Sequence, residues 1–329
     1  MVFGEFEMKV LVTGGAGYLG SGLCSELLKS GYEVYSYDNL MYKQLSLLDL
    51  CIDDKFHFIH SDVRNQEYLK KYLQKVDIII PLAAIVGFPA CDGDKELATQ
   101  INYEQIKFIS DNISKDQRVI FPNTNSGYGI GNGDLYCREE DGMKPVSHYG
   151  ITKCDAENYL LDSGNSITLR LATVFGMSQR MRTDLLVNEF VYKALTDRYL
   201  TVFESKNVRN YIHIKDVLKT FIFMIERYDE FVGEPFNVGL SDANFSKEQV
   251  VELIKKYIPD FAVTYSEYYK DPDKRNYLVS NEKIESTGWK PIYTLDDGIK
   301  ELIKGYKIVI NNDVSHFRNG FPIGYGQPT

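Results

Sequence analysis

The chain holds 329 residues, 44% of them apolar, enough for one large or two unequal domains with cores of their own. With 37 basic and 46 acidic residues it carries a net charge of −9. Both signs are scattered without blocks of one sign, so nucleic acid and anionic membrane are excluded as expected partners. The longest apolar run, Val76 to Ala90, contains Pro81 and Pro89 and is too short to cross a bilayer. Glu5 and Glu7 interrupt the start of the chain before any leader-like apolar segment. Cys24, Cys51, Cys91, Cys137 and Cys154 lie far apart without C-x-x-C spacing, a pattern of reduced thiols in a cytoplasm rather than of zinc ligands.

Met1–Glu7 reads as a short extension. Lys9–Thr13 is a β-branched apolar run of the kind found in strands buried on both faces. Gly14, Gly17 and Gly20 come next at intervals of three, and a helix with Leu19, Leu23 and Leu27 on one stripe begins inside them. Glycines so placed serve a tight turn, a close backbone approach to a diphosphate, and packing of helix on strand. The helix N-terminus then offers N–H groups and a partial positive charge to phosphate. A second strand, Glu33–Tyr37, ends in Asp38, placed to accept from an adenine-ribose 2′-hydroxyl and to repel a 2′-phosphate. This stretch predicts a dinucleotide site that takes NAD in preference to NADP, with Tyr18, Leu19 and Asn39 beside the glycines and the acid.

After an irregular Leu40–Leu50 stretch come a strand Phe56–His60 ending at Ser61-Asp62-Val63, a helix Gln66–Gln74 and a strand Val76–Leu82. A loop Ala83–Asp94 leads to a long helix from Lys95 to Ile113 and a strand Arg118–Pro122. The Gly- and Asn-rich loop Asn123–Val146 precedes a helix Tyr149–Leu161 and a strand Ile167–Leu171. This alternation predicts an α/β fold with a parallel sheet covered on both faces. Ligands of such sheets sit beyond the carboxyl ends of the strands. That edge collects Gly14–Gly20, Asp38, Asp62, Val63, Leu82, Ala83, Ala84 and Thr124.

From Thr173 the alternation loosens. Met177–Asp184 is irregular, a helix covers Leu185–Thr196, and the basic Lys206–Arg209 runs into Tyr211–Ile214. The helix Asp216–Tyr228 and strand Pro235–Val238 are expected to return to the main sheet. Helix Lys247–Tyr257, strand Ala262–Tyr265, loop Ser266–Tyr277 and helix Leu295–Val309 suggest a smaller lobe, and Gly320–Thr329 reads as a mobile tail. The predicted organisation is a first domain over residues 1–175, with 211–240 returning to it, and a lobe made of 176–210 and 241–329.

Tyr149 and Lys153 stand four apart, on one face of their helix. An isolated tyrosine titrates near pH 10, too high for a base at neutrality. An adjacent ammonium and a positive nicotinamide ring favour the phenolate. Tyr149 can then take a proton from a sugar hydroxyl while the carbon beneath gives up hydride.

Nearly the whole chain resembles the extended short-chain dehydrogenase/reductases, the NAD-dependent nucleotide-sugar epimerases and dehydratases. The resemblance is carried by Thr13–Gly20, Asp38-Asn39-Leu40, Asp62-Val63, Leu82-Ala83-Ala84, Thr124–Gly129, Tyr149–Lys153 and Arg170-Leu171. In the second half it is carried by Arg209–Val217 and Gly288–Pro291. It implies a doubly wound Rossmann sheet with a smaller C-terminal substrate-binding lobe, and usually a homodimer. It also implies a catalytic triad of Thr124, Tyr149 and Lys153, with Thr124 hydrogen-bonded to the reacting oxygen. Arg209 and Arg275 occupy positions where the family grips a nucleotide diphosphate, a task that suits a forked guanidinium. Asn125, Ser126, Thr173, Arg180, Arg182 and Asn188 complete the substrate residues implied.

Departures from the family pattern narrow the chemistry. The family's 4,6-dehydratases place an Asp-Glu pair after the threonine, because eliminating water across C5–C6 needs an acid and a base. Asn125 and Ser126 stand there instead, so dehydration is not expected. Pro81–Ala84, Pro122–Gly133, Ser178–Leu185 and Asp271–Arg275 resemble the NAD-dependent GDP-heptose C4-dehydrogenases of bacterial capsule synthesis. That resemblance implies oxidation of GDP-D-glycero-D-manno-heptose to its 4-keto sugar. A 4-epimerase acting on a UDP- or GDP-sugar uses the same residues and stays open, and a non-catalytic dinucleotide sensor is the remote alternative.

Overall fold

The structure, a computed structural model, describes residues 8–131, 133–266, 275–310 and 317–319. The first half runs β1 (Lys9–Thr13), α1 (Tyr18–Lys29), β2 (Glu33–Asp38), β3 (Phe56–His60), α2 (Gln66–Leu73) and β4 (Ile78–Pro81). It continues α3 (Phe88–Gly93), α4 (Lys95–Thr99), α5 (Gln105–Asp111), β5 (Arg118–Thr124), β6 (Tyr136–Cys137), α6 (His148–Ser163) and β7 (Ser166–Leu171). The second half runs β8 (Thr173–Phe175), α7 (Leu186–Thr196), β9 (Tyr199–Phe203), β10 (Val208–His213), α8 (Ile214–Glu226), α9 (Tyr228–Phe231) and β11 (Pro235–Val238). It ends β12 (Asn244–Ser246), α10 (Lys247–Lys255), β13 (Ala262–Ser266), β14 (Leu278–Val279), α11 (Glu282–Ser286) and α12 (Leu295–Val309). The expected extension Met1–Glu7, most of the loop Ser266–Tyr277 and the tail Gly320–Thr329 lie outside the described residues.

Seven parallel strands pair in the order β11-β7-β5-β4-β1-β2-β3, which is the doubly wound sheet expected. Period-2 alternation divides its apolar residues between two cores. Val10 and Val12, Ile78 and Ile80, and Ile120 face α1 and α8, with Leu23, Leu27, Val217 and Phe221. Leu11, Ile79, Val119 and Phe121 face the opposite layer, with Leu69, Ile106, Ile109 and Leu160. Each such side chain, fully buried, contributes roughly 1.5–3 kcal/mol, which makes the paired layers rather than helix propensity the source of order.

Two local expectations change. Phe88–Gly93, read as loop, forms a short helix, with Pro89 in its first turn where a missing N–H costs nothing. The single helix expected from Lys95 to Ile113 is interrupted by a π turn at Gln100–Glu104. Strand β11 joins the main sheet as expected, whereas β10 pairs with β8 and β12 in a separate three-stranded sheet. The boundaries expected at 175 and 211 therefore fall inside that smaller sheet. Among the described residues no helix is long and apolar enough to cross a membrane.

Beneath the carboxyl ends of β5 and β7 lies a buried ion pair. Glu157 on α6 is fully buried and accepts from Arg170 Nε and Nη2 at 2.9 and 2.7 Å, and from Asn123 Nδ2 at 2.7 Å. Arg170 also donates to the Tyr128 hydroxyl and the Glu139 carbonyl, and Glu139 accepts from the backbone of Asn237 on β11. Removing one member strands the other charge away from water. Glu157→Ala is expected to lower unfolding free energy by about 3–5 kcal/mol, read as a lower urea midpoint; a midpoint unchanged from wild type would show the pair to be dispensable.

Candidate active site

Along the carboxyl edge of the sheet runs a cleft of about 920 Å³. Its first wall is the turn between β1 and α1. Gly14 has φ +71°, and a Cβ there would lie 2.7 Å from the Ala83 nitrogen. A Cβ on Gly20 would lie 2.2 Å from the Gly14 carbonyl oxygen. Only glycine permits β4, the turn and α1 to close up in this way. Gly17 caps α1 without any side-chain bond, and the first turn holds no acid, so the helix N-terminus is turned to the cleft uncompensated.

Asp38 stands at the end of β2, where its carboxylate accepts from the Ala16 and Leu40 backbones at 3.0 and 2.8 Å. Burial holds its carboxyl above the usual range, against those two bonds. Gly14, Gly17, Tyr18, Leu19, Asp38, Asn39, Val63, Leu82, Ala83 and Ala84 all line this end of the cleft. An anion-ready helix end, a glycine cradle and an acid at the tip of the second strand fit an NAD diphosphate and adenine ribose.

The middle of the cleft is lined by Thr124, Tyr149 and Lys153. Ser147 caps α6, its hydroxyl accepting from the Gly150 nitrogen at 3.2 Å, which fixes where the helix bearing Tyr149 begins. Lys153 is buried over the Phe121 ring, 3.8 Å from its centroid. Burial brings its pKa down to about 7, with Glu157 one turn away pulling the other way. Thr124 donates to Ser126 Oγ at 2.9 Å and accepts from the Ser126 nitrogen at 3.1 Å. Ser126 in turn accepts from Arg275 Nη1.

Of the residues expected at the substrate, Thr173, Arg180, Arg182, Arg209 and Arg275 line the cleft. Arg180 does so on the cofactor side, its guanidinium 4.7 Å from the centroid of Tyr42, four residues past Asp38. Burial, with Arg182 next, pulls its pKa down to about 10. Arg180 donates to the Asn319 side chain at 2.6 Å, and the Thr183 N–H donates to the Phe317 carbonyl at 2.8 Å. The segment 317–319 thus closes one side of the cleft.

Four residues expected at the site are not among those lining the cleft. Asp62 accepts from Arg64 and from Asn39 Nδ2, between the lining residues Ser61 and Val63. Asn188 is fully buried, bonded to the Gly176 nitrogen, the Arg182 carbonyl and the Tyr18 hydroxyl. Asn125 is buried off the cleft wall, and Ser126 touches the site only through Thr124 and Arg275.

Sequence reasoning missed Asn102, which the π turn directs inward. Its amide accepts from the Ile85 nitrogen and donates to the Ile85 carbonyl, both at 2.9 Å, and reaches Thr152 on α6. No spacing in the sequence marks it. Tyr42, Glu189, Lys193, Lys247 and Asn319 also line the cleft unannounced; only Tyr42, close behind Asp38, carried a usable signal.

Fold and cleft together are those of a dinucleotide-dependent enzyme. The chain belongs to the NAD dependent epimerase/dehydratase family, which matches residues 10–239. It is therefore an NAD-dependent nucleotide-sugar enzyme of the extended short-chain dehydrogenase/reductase type. It is similar to a protein of Bacillus subtilis named as an uncharacterized UDP-glucose epimerase, 31% identical over 264 residues, covering 75% of this chain and 81% of that one. It is also similar to the dTDP-4-dehydro-6-deoxyglucose reductase of Escherichia coli, 28% identical over 318 residues and covering 91% and 97%. Among solved structures, UDP-glucuronic acid 4-epimerase from Bacillus cereus, in complex with UDP-glucuronic acid and NAD, superposes with a TM-score of 0.81. It is 26% identical, with 92% of this chain and all of that one covered.

Tyr149→Phe is expected to keep NAD binding while turnover falls on the order of 10²–10⁴-fold, the reach of a positioned acid/base; wild-type turnover would remove the phenol from the mechanism. Asp38→Ala should narrow the preference for NAD over NADP in parallel cofactor titrations. Equal use of both cofactors by the wild-type protein would show that Asp38 does not face the ribose.

Proposed function

We propose that the protein oxidises a nucleotide-diphosphate sugar at C4, with GDP-D-glycero-α-D-manno-heptose as substrate and the 4-keto sugar as product, in capsular heptose synthesis. The choice of C4 is carried by the two residues after Thr124. Asn125 cannot ionise and is buried off the cleft, and the Ser126 hydroxyl is engaged by Thr124 and Arg275. Without an acid and a base at these positions, elimination across C5–C6 has no proton relay, and the chemistry is confined to the carbon beside Tyr149.

NAD, when bound, supplies the hydride acceptor for this oxidation. Tyr149 receives the hydroxyl proton, and Thr124 holds the oxygen from which it leaves. Lys153 stabilises the phenolate and is charged more fully when that anion stands beside it. Arg209 and Arg275 grip the diphosphate, so the sugar can present only one edge to Tyr149. Support for heptose and guanine comes from resemblance at Ser178–Leu185 and at Asp271–Arg275, of which 271–274 lie outside the described residues. A second reading, return of hydride to the other face as in a 4-epimerase, is favoured by the similarity to UDP-glucuronic acid 4-epimerase.

Incubation with GDP-, UDP-, CDP- and dTDP-sugars in deuterated water, with NMR of the products, separates these outcomes. The expected product is a 4-keto sugar or its hydrate from GDP-heptose, with one reduced nicotinamide per turnover. A C4 diastereomer without net NADH would mark an epimerase, and loss of the C6 oxygen would refute both readings.

A further inference from the structure

The cleft that holds Arg209 and Arg275 is lined also by α7 and β9. Leu186 and Phe190 of α7 and Leu200 and Val202 of β9 give it apolar walls suited to a flat ring. On α7, one turn apart and also lining the cleft, stand Glu189 and Lys193, their carboxylate and ammonium 2.7 Å apart. Both are about one-third exposed, so they are reachable from the cleft they line.

We infer that Glu189 and Lys193 read the base of the substrate, and that the base they fit is guanine. This rests on the nucleotide-diphosphate reading of the cleft, since a diphosphate held by the two arginines leaves the base to lie against α7 and β9. The pair presents a donor next to a two-oxygen acceptor. Guanine's pairing edge is the complement: O6 accepts from Lys193, while N1–H and N2–H donate together to the Glu189 carboxylate. Uracil and thymine place a single N–H between two carbonyls, which sets one carbonyl oxygen against the carboxylate. Cytosine turns two acceptors towards it, and adenine lacks an exocyclic acceptor for the ammonium. The carboxylate therefore selects by repulsion as well as by attraction. A site built around such bonds rejects an analogue that lacks the matching N–H, because its own polar group is then left unpartnered.

Calorimetric titration of the NAD-loaded protein with GDP, IDP, UDP, dTDP and CDP tests this. GDP should bind most tightly, and IDP, which lacks only the exocyclic amine, should bind more weakly by roughly tenfold. Glu189→Gln should weaken GDP by roughly ten- to a hundredfold and change UDP little. Lys193→Met, which removes the donor to O6, should weaken GDP and IDP alike. A preference for GDP that survives both substitutions would overturn the assignment to these residues while leaving the GDP reading intact. Tighter binding of UDP or dTDP than of GDP would overturn the choice of guanine in both. Failure of all five diphosphates to bind would overturn the nucleotide-sugar reading of the cleft itself.

Discussion

The buried pair of Glu157 and Arg170 is the constraint on which the rest of the site depends. Asn123, which shares Glu157, lies opposite Arg170 in the parallel register of β5 and β7 and directly precedes Thr124. Glu157 itself lies one turn beyond Lys153 on α6. One carboxylate thus sets the strand end that carries Thr124 against the helix that carries Tyr149 and Lys153. Two charges removed from water hold only one geometry well, because any slip leaves lone pairs or N–H groups without partners. Through Tyr128 and Glu139 the same guanidinium ties down the excursion after β5 and, through Asn237, the edge strand β11.

That arrangement also shapes the electrostatics around Tyr149. Lys153 sits on the face of Phe121 with little access to water, which weakens its hold on a proton, while Glu157 strengthens it. The balance leaves its pKa at about 7, where modest changes in nearby charge alter its protonation.

The glycine-rich turn, the strand tip at Asp38 and the Tyr149–Lys153 helix were legible because each rests on local backbone rules: strand period, glycine spacing and helical period. The long apolar strands of the main sheet were legible for the same reason. Strand β8 was not, since three residues offer no period to count, and β9 lies between a helix and a polar turn. Asp62, Asn188 and Asn125 show a different limit. Asp62 turns to the partly exposed Arg64, and Asn188 and Asn125 turn to Gly176 and to the protein interior; direction of this kind depends on tertiary packing rather than on spacing. Glu189 and Lys193 stand four apart, a spacing shared by any surface pair on a helix, and only the folded chain places them on a cleft wall.

The π turn at Gln100–Glu104 has a consequence for how this segment tolerates change in length. A π turn is an α-helix wound with one residue more than its hydrogen-bond ladder needs, and here the surplus residue rotates Asn102 towards the Ile85 loop. Loss of a single residue within 100–104 would restore a regular and locally more comfortable helix. It would also swing the amide about 100° around the helix axis, the angle per residue of an α-helix. The backbone of Ile85, keeping the Cys91 thiol at its carbonyl, would lose both of its bonds to Asn102, and with them the shape of the loop beyond Ala84 along the cofactor wall. Improved helix geometry and a working cleft are opposed at this point in the chain, so a one-residue deletion that looks harmless by helical propensity would strike the site from behind.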